Sequence, residues 1–125
     1  MFSDTRAFSS FAVDDLDRAE QFYGETLGIE TERWMDGYLL VLKIAGDRDT
    51  LVYPKPDFEP AGYTVLNFPV DDVEAAVDGL AARGVAFERY TEFEQDEKGI
   101  ARGQGPDIAW FRDPAGNVLA VLAEQ

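Results

Sequence analysis

Histidine and cysteine are both absent from this 125-residue chain. Without cysteine there can be no disulfide, no thiolate metal ligand and no cysteine nucleophile. Without histidine, the zinc, nickel and iron centres built on imidazole nitrogen lack their ligands, and the facial triad of non-haem iron cannot be assembled. The serines likewise have no imidazole base. Long apolar runs are missing too: 38–42 and 118–123 are far too short to cross a bilayer. Residues 1–6 lack the basic start and apolar stretch of a signal peptide, so a cytoplasmic location is expected. Positive charge is scarce, with 11 Lys and Arg against 25 Asp and Glu, a net charge of −14. Such a chain repels phosphate backbones and anionic lipid, which argues against nucleic-acid and membrane partners and favours cationic ligands. The glycines of 99–105 match no phosphate-binding loop.

What is present is enough for a core. Hydrophobic residues make up 46% and aromatics 13% of the chain, which argues against disorder. A domain of this length buries roughly two-thirds of its unfolded surface and needs no metal or disulfide to fold. One domain over 1–125 is expected.

The sequence repeats itself at an offset of 57 residues: Phe11-Ala12-Val13-Asp14-Asp15-Leu16 returns as Phe68-Pro69-Val70-Asp71-Asp72-Val73. Each copy runs from a strand pattern through two aspartates into an amphipathic helix. The first helix face carries Leu16, Ala19, Phe22, Tyr23 and Leu27 before Gly28; the second carries Val73, Ala76, Val77, Leu80 and Ala81 before Gly84. The aspartates suit N-caps and the glycines suit left-handed C-terminal positions. Strands 29–35 and 38–44 flank the hairpin signal Asp36-Gly37, and a third strand at 50–53 follows the turn Gly46-Asp47-Arg48-Asp49. In the second half, 86–91 reads as strand, 92–106 as a long loop, and 108–112 and 118–122 as a hairpin around 113–117. The expected class is α+β, with two βαβββ modules at about 5–55 and 62–124 forming a cupped, partly open, barrel-like sheet.

The pattern Val13-Asp14-Asp15-Leu16-Asp17-Arg18-Ala19, with Phe22-Tyr23 and Leu27-Gly28 after it, resembles the first half of vicinal oxygen chelate proteins. These include glyoxalase I, bleomycin-resistance proteins and extradiol dioxygenases. The stretch Trp110-Phe111-Arg112-Asp113-Pro114-Ala115-Gly116-Asn117 is similar to that family's closing turn. The resemblance implies a sheet cup, often completed in a homodimer, in which His, Glu or Gln from four strands hold a divalent metal. By position those ligands fall on Phe8, Val65, Ala120 and a residue near Val52, all apolar. Standard metal-dependent glyoxalase or dioxygenase chemistry is therefore not expected, and no cofactor is expected. Glu92, Glu94, Asp96 and Glu97 offer at most a weak calcium or magnesium site and read more simply as a solvated loop.

Strand alternation, with the metal-equivalent positions inward, puts Phe8, Ser10, Val65 and Asn67 in the cup, with Ala120 from the closing strand. Trp110 and Arg112 are plausible walls, and Trp34, Tyr38, Tyr53 and Tyr90 are further aromatic candidates. For any single aromatic, a place in the core or a dimer interface is the simpler reading. Arg112 suits either pinning a carboxylate or bracing the Asp113 turn. The leading expectation is metal-free binding of a small, partly apolar or cationic molecule, with antibiotic sequestration its most concrete form. A metal-independent lyase or isomerase using Glu, Asp or Tyr, and a dimeric interaction module without a ligand, are the alternatives.

Overall fold

The computed structural model describes residues 1–46 and 48–124; Asp47, part of the expected turn at 46–49, and Gln125 lie outside the described residues. The chain divides into two compact units, Met1–Pro60 and Ala61–Gln125.

In the first unit, β1 (Ser10–Val13) leads into α1 (Leu16–Gln21), followed by β2 (Glu30–Trp34), β3 (Leu39–Lys43) and β4 (Thr50–Pro54). The sheet order is β1-β4-β3-β2, with β1 and β4 parallel and the other pairs antiparallel. Asp15 caps α1 by accepting hydrogen bonds from the Asp17 and Arg18 N–H groups. Leu16, Ala19 and Tyr23 are buried with Phe11, Val13, Leu40, Leu42 and Val52 on one sheet face, and Val41, on the other face, is buried as well. Phe11 meets Tyr23 edge to face at 5.9 Å.

Two local expectations change here. The helix pattern through Leu27 is not uniform: Phe22–Thr26 is a π-helical turn in which the Leu27 N–H donates to the Phe22 carbonyl. Gly28 still takes the left-handed conformation, φ 72°, but the closing bond from Ile29 reaches back six residues to Tyr23 because the wider turn holds one more residue. The hairpin is likewise longer than a two-residue turn. Met35 and Asp36 both have positive φ, so the turn spans 35–38, and Tyr38, expected at the head of a strand, lies in it. Arg33 holds this turn, donating from Nε and Nη2 to the Gly37 carbonyl while Nη1 contacts Glu20 at 2.6 Å and Asp17 at 3.3 Å.

The second unit comprises β5 (Thr64–Val70), α2 (Val73–Ala82), β6 (Ile108–Arg112) and β7 (Val118–Ala123) in the order β5-β7-β6. Asp72 caps α2 through the Ala75 N–H, as its repeat-mate Asp15 caps α1. At the other end Val85 donates to Leu80 and Gly84 to Ala81, the Schellman pattern expected around a left-handed glycine. Phe111, Leu119, Ala109, Val121 and Val77 are buried. The class is α+β, with one four-stranded and one three-stranded sheet and no closed barrel among the described residues.

The strand expected at 86–91 is reduced to a bridge between Phe87 and Phe111 and one bond from the Glu88 N–H to the Trp110 carbonyl, 2.8 Å. On its outer side it meets a side chain rather than a strand. The Gln95 amide accepts from the Tyr90 N–H and donates to the Glu88 and Gly99 carbonyls at 2.7–2.8 Å. The segment 92–106, expected to be open loop, is partly built in: Gln95 bridges Ala101, Ala101 bridges Ile108, and Ile100 and Ala101 are buried.

Candidate binding site

Residues paired across neighbouring strands share a sheet face, so register locates the candidates. In the second unit Asn67 pairs with Ala120 and Ala120 with Trp110, forming one row; Arg112 pairs with Val118 on the same face. The alternate residues, Leu119, Val121 and Phe111, belong to the buried set on the α2 side. Asn67 is exposed and Trp110 half-buried, while Ala120 is fully buried and presents no surface. Val65 sits at an irregularity: Thr64 pairs with Val118 and Leu66 with Leu119, leaving Val65 as the extra residue of a bulge.

Tyr90 is brought to the same indole from the 86–95 segment, at 5.3 Å and edge-on. Sequence reasoning missed Phe93, which stacks on Trp110 at 5.0 Å with planes 28° apart and contacts Tyr90 at 6.4 Å. Its signal was its place in an acidic stretch, Glu92-Phe93-Glu94, where a solvated loop has no need of a large apolar side chain. Burial pushes the Tyr90 hydroxyl to a higher pKa; the Arg112 charge opposes this, and Glu88 and Glu92 add to it. Tyr90 is thus a neutral hydrogen-bonding group at physiological pH.

Arg112 is engaged within the second unit. Its Nε donates to Glu88 Oε1 at 2.8 Å and its Nη1 to the Gly116 carbonyl at 2.8 Å. The carboxylate that it holds is the protein's own, and it braces the closing turn. Within that turn Asp113 Oδ1 accepts from the Ala115 and Asn117 N–H groups and Oδ2 from Asn117 Nδ2.

In the first unit Ser10 pairs with Leu51 and Ala12 with Tyr53, placing Ser10 and Tyr53 on the face opposite Phe11 and Val52. Trp34, opposite Leu39 on the β2 edge strand, shares that face by alternation from Arg33, which turns to α1. Tyr53 and Trp34 remain about two-fifths exposed, and Tyr38 stands out in the turn. Phe8 precedes β1 with its ring covered by the Arg48 guanidinium at 4.9 Å, a cation–π contact.

The donor set of the resembling family's metal site does not fit. Phe8, Val65 and Ala120 offer no donor atom, and Val52 is fully buried between Phe11 and Leu40, on the core face. Among the described residues no group of three or more acidic side chains is placed to hold a metal. Asp96 of the acidic stretch is engaged by the Lys98 and Ile100 N–H groups and by Arg102. An open groove of about 590 Å³ runs past the first turn of α2, with Asp72, Glu74, Asp78, Arg102 and Asp107 in its lining, and includes none of the aromatic candidates. Arg102 pairs there with Glu74 and Asp107, and Lys98 beside it with Glu74 and Asp78, while Asp72 caps α2 and Asp71 adds a further carboxylate. No helix among the described residues is long and apolar enough to cross a membrane.

Comparison with known proteins places this architecture. The chain is similar to TnmS3, an antibiotic binding protein from Streptomyces sp. CB03234, at 25% identity over 100% of this chain and 99% of that one, TM-score 0.73. A glyoxalase/bleomycin resistance protein from the same organism gives 25% identity, coverage of 93% and 99%, and TM-score 0.63. A superfamily member from Sphaerobacter thermophilus DSM 20745 shares the fold, with 23% identity, coverage of 99% and 100%, and TM-score 0.71. No curated protein matches the chain. The family model for this architecture matches residues 7–121, and with both sheets and the closing turn in place the chain belongs to the Glyoxalase/Bleomycin resistance protein/Dioxygenase superfamily.

Proposed function

We propose that the protein binds a small, partly apolar, cationic molecule without a resident metal, and that it does so by sequestration rather than catalysis. The observation that carries this reading is the gathering of Tyr90, Phe93 and Trp110 on the sheet face that also bears Asn67 and Arg112. Aromatic walls with a few convergent polar groups are the usual make-up of small-molecule sites. Ser10, Trp34 and Tyr53 supply a second surface of that composition in the first unit, with Phe8 and Tyr38 near it and Val65 and Ala120 as supports in the second. The similarity to an antibiotic binding protein supports a drug-like ligand. The net charge of −14 supports a cationic one. The working form in this proposal is a cytoplasmic homodimer in which both modules of each chain act as one domain.

The test is thermal unfolding against cationic antibiotics, aromatic metabolites and divalent metals. A ligand at 100 times its Kd adds about 2.7 kcal/mol, enough to raise Tm by several degrees. A selective shift with an organic cation supports the proposal. Shifts confined to zinc, nickel or manganese, and lost when carboxylates are replaced, would overturn it.

A further inference from the structure

Tyr90 and Phe93 meet the Trp110 indole differently. Tyr90 stands edge-on to it, whereas Phe93 lies on its face. Their anchoring differs as well. The Tyr90 backbone is tied to Gln95 Oε1 at 2.7 Å, and Gln95 is itself held by the Glu88 and Gly99 carbonyls. Phe93 lies in a turn, its N–H reaching the Tyr90 carbonyl at 3.4 Å, near the limit of a hydrogen bond. Its side chain stays 40% exposed. A stacked aromatic pair favours its seated form by only a few-fold to about tenfold.

We infer that Phe93 is a displaceable stand-in for the ligand at this site, and that the ligand is a flat, fused-ring cation that replaces its ring on the Trp110 face. This deepens the binding proposal above and rests on it. The indole face takes a near-parallel ring, as Phe93 shows, while Tyr90 forms a fixed side wall. Arg112 is paired with Glu88, Arg89 is turned to the Asp96 and Glu97 carbonyls, and Glu92 lies close enough to act on the Tyr90 hydroxyl, so a carboxylate adjoins the aromatic group. A self-occupied face also selects. Apparent affinity falls by the fraction of time the face is open, and a single-ring compound gains no more from stacking than Phe93 itself, whereas two or three fused rings do.

The experiment is calorimetric titration of the full chain and of Phe93→Ala and Phe93→Tyr with 9-aminoacridine, a flat fused-ring cation. Benzylammonium and 9-anthracenecarboxylate are the single-ring and anionic comparisons. The expected result is that Phe93→Ala tightens 9-aminoacridine by up to about tenfold. Phe93→Tyr, which keeps a ring to stack on the indole, should tighten it by less than Phe93→Ala does, and both comparison compounds should bind more weakly than 9-aminoacridine. If 9-aminoacridine binds the native chain and Phe93→Ala leaves its affinity unchanged or weakens it, the stand-in role is overturned while the binding reading stands. Tighter binding of the anthracene carboxylate overturns the assigned charge. If no variant binds any probe and no compound in the thermal panel shifts Tm, the stand-in inference and the binding reading are both overturned.

Discussion

Asp96 and Asp113 close their loops with the same set of bonds. In each, the aspartate N–H donates to the carbonyl four residues on, and the glycine three residues on donates back to the aspartate carbonyl. In each, Oδ1 accepts from the N–H groups two and four residues on: Lys98 and Ile100 at Asp96, Ala115 and Asn117 at Asp113. The shared pattern Asp-x-x-Gly-x builds both the expected closing turn and a small hairpin inside the expected loop.

The two differ in burial, and their stabilities should separate accordingly. Asp113 is 4% exposed and also accepts from Asn117 Nδ2. Asp113→Ala strands the buried donors of Asn117 and should cost about 3–5 kcal/mol, against about 1–2 kcal/mol for Asp96→Ala, whose side chain is about a third exposed. Urea denaturation of both variants checks the order; equal losses would contradict it.

Acid should loosen the Asp96 loop. Burial raises this carboxyl's pKa, but the Ile100 and Lys98 N–H groups and Arg102 outweigh it and hold the group below its ordinary value of 3.8. A lowered folded-state value means that its stabilisation is complete above the unfolded value and is lost as pH falls through the folded one. Stability measured from about pH 5 down to about pH 2 should fall more steeply in the native chain than in Asp96→Asn. Parallel curves would sink this assignment.

Gly99 is doubly constrained. Its φ is +90°, and an added Cβ would lie 3.1 Å from the Phe87 Cβ, whereas Gly84, with φ +91°, has nothing within 4 Å. Gly84→Ala should cost about 1 kcal/mol from backbone strain alone. Gly99→Ala should cost about 1–2 kcal/mol more, because Phe87 must shift from its contact with Phe111 at 5.7 Å. Thermal unfolding of the pair separates the two effects.

Val52 and Trp34 test which face of the first sheet is core and which binds. Val52→Ala removes fully buried methyl groups and should lose about 2 kcal/mol with ligand binding intact. Trp34→Ala, at a side chain 42% exposed, should change stability by under about 1 kcal/mol while weakening binding of any organic ligand found in the thermal panel. The reverse pattern would exchange the two assignments.

The sequence by itself determined the two caps, Asp15 and Asp72, the glycines that end both helices, and the hairpin closed by Asp113 and Asn117. Each is a local device whose bonds lie within a few residues, so residue type and spacing suffice. Composition likewise withheld imidazole and thiolate from any metal site. Tertiary structure decided the rest. The segment 86–91 has strand composition, yet Gln95 takes the place of a neighbouring strand, which spacing cannot reveal. Val52 was placed near the metal position, but a register shift of a single residue reverses the face that a strand residue presents, and only the pairing with Phe11 and Leu40 fixes it in the core. Phe93 joined the candidate site for the same reason: its stacking on Trp110 is a contact between distant residues, set by how the loop returns over the sheet.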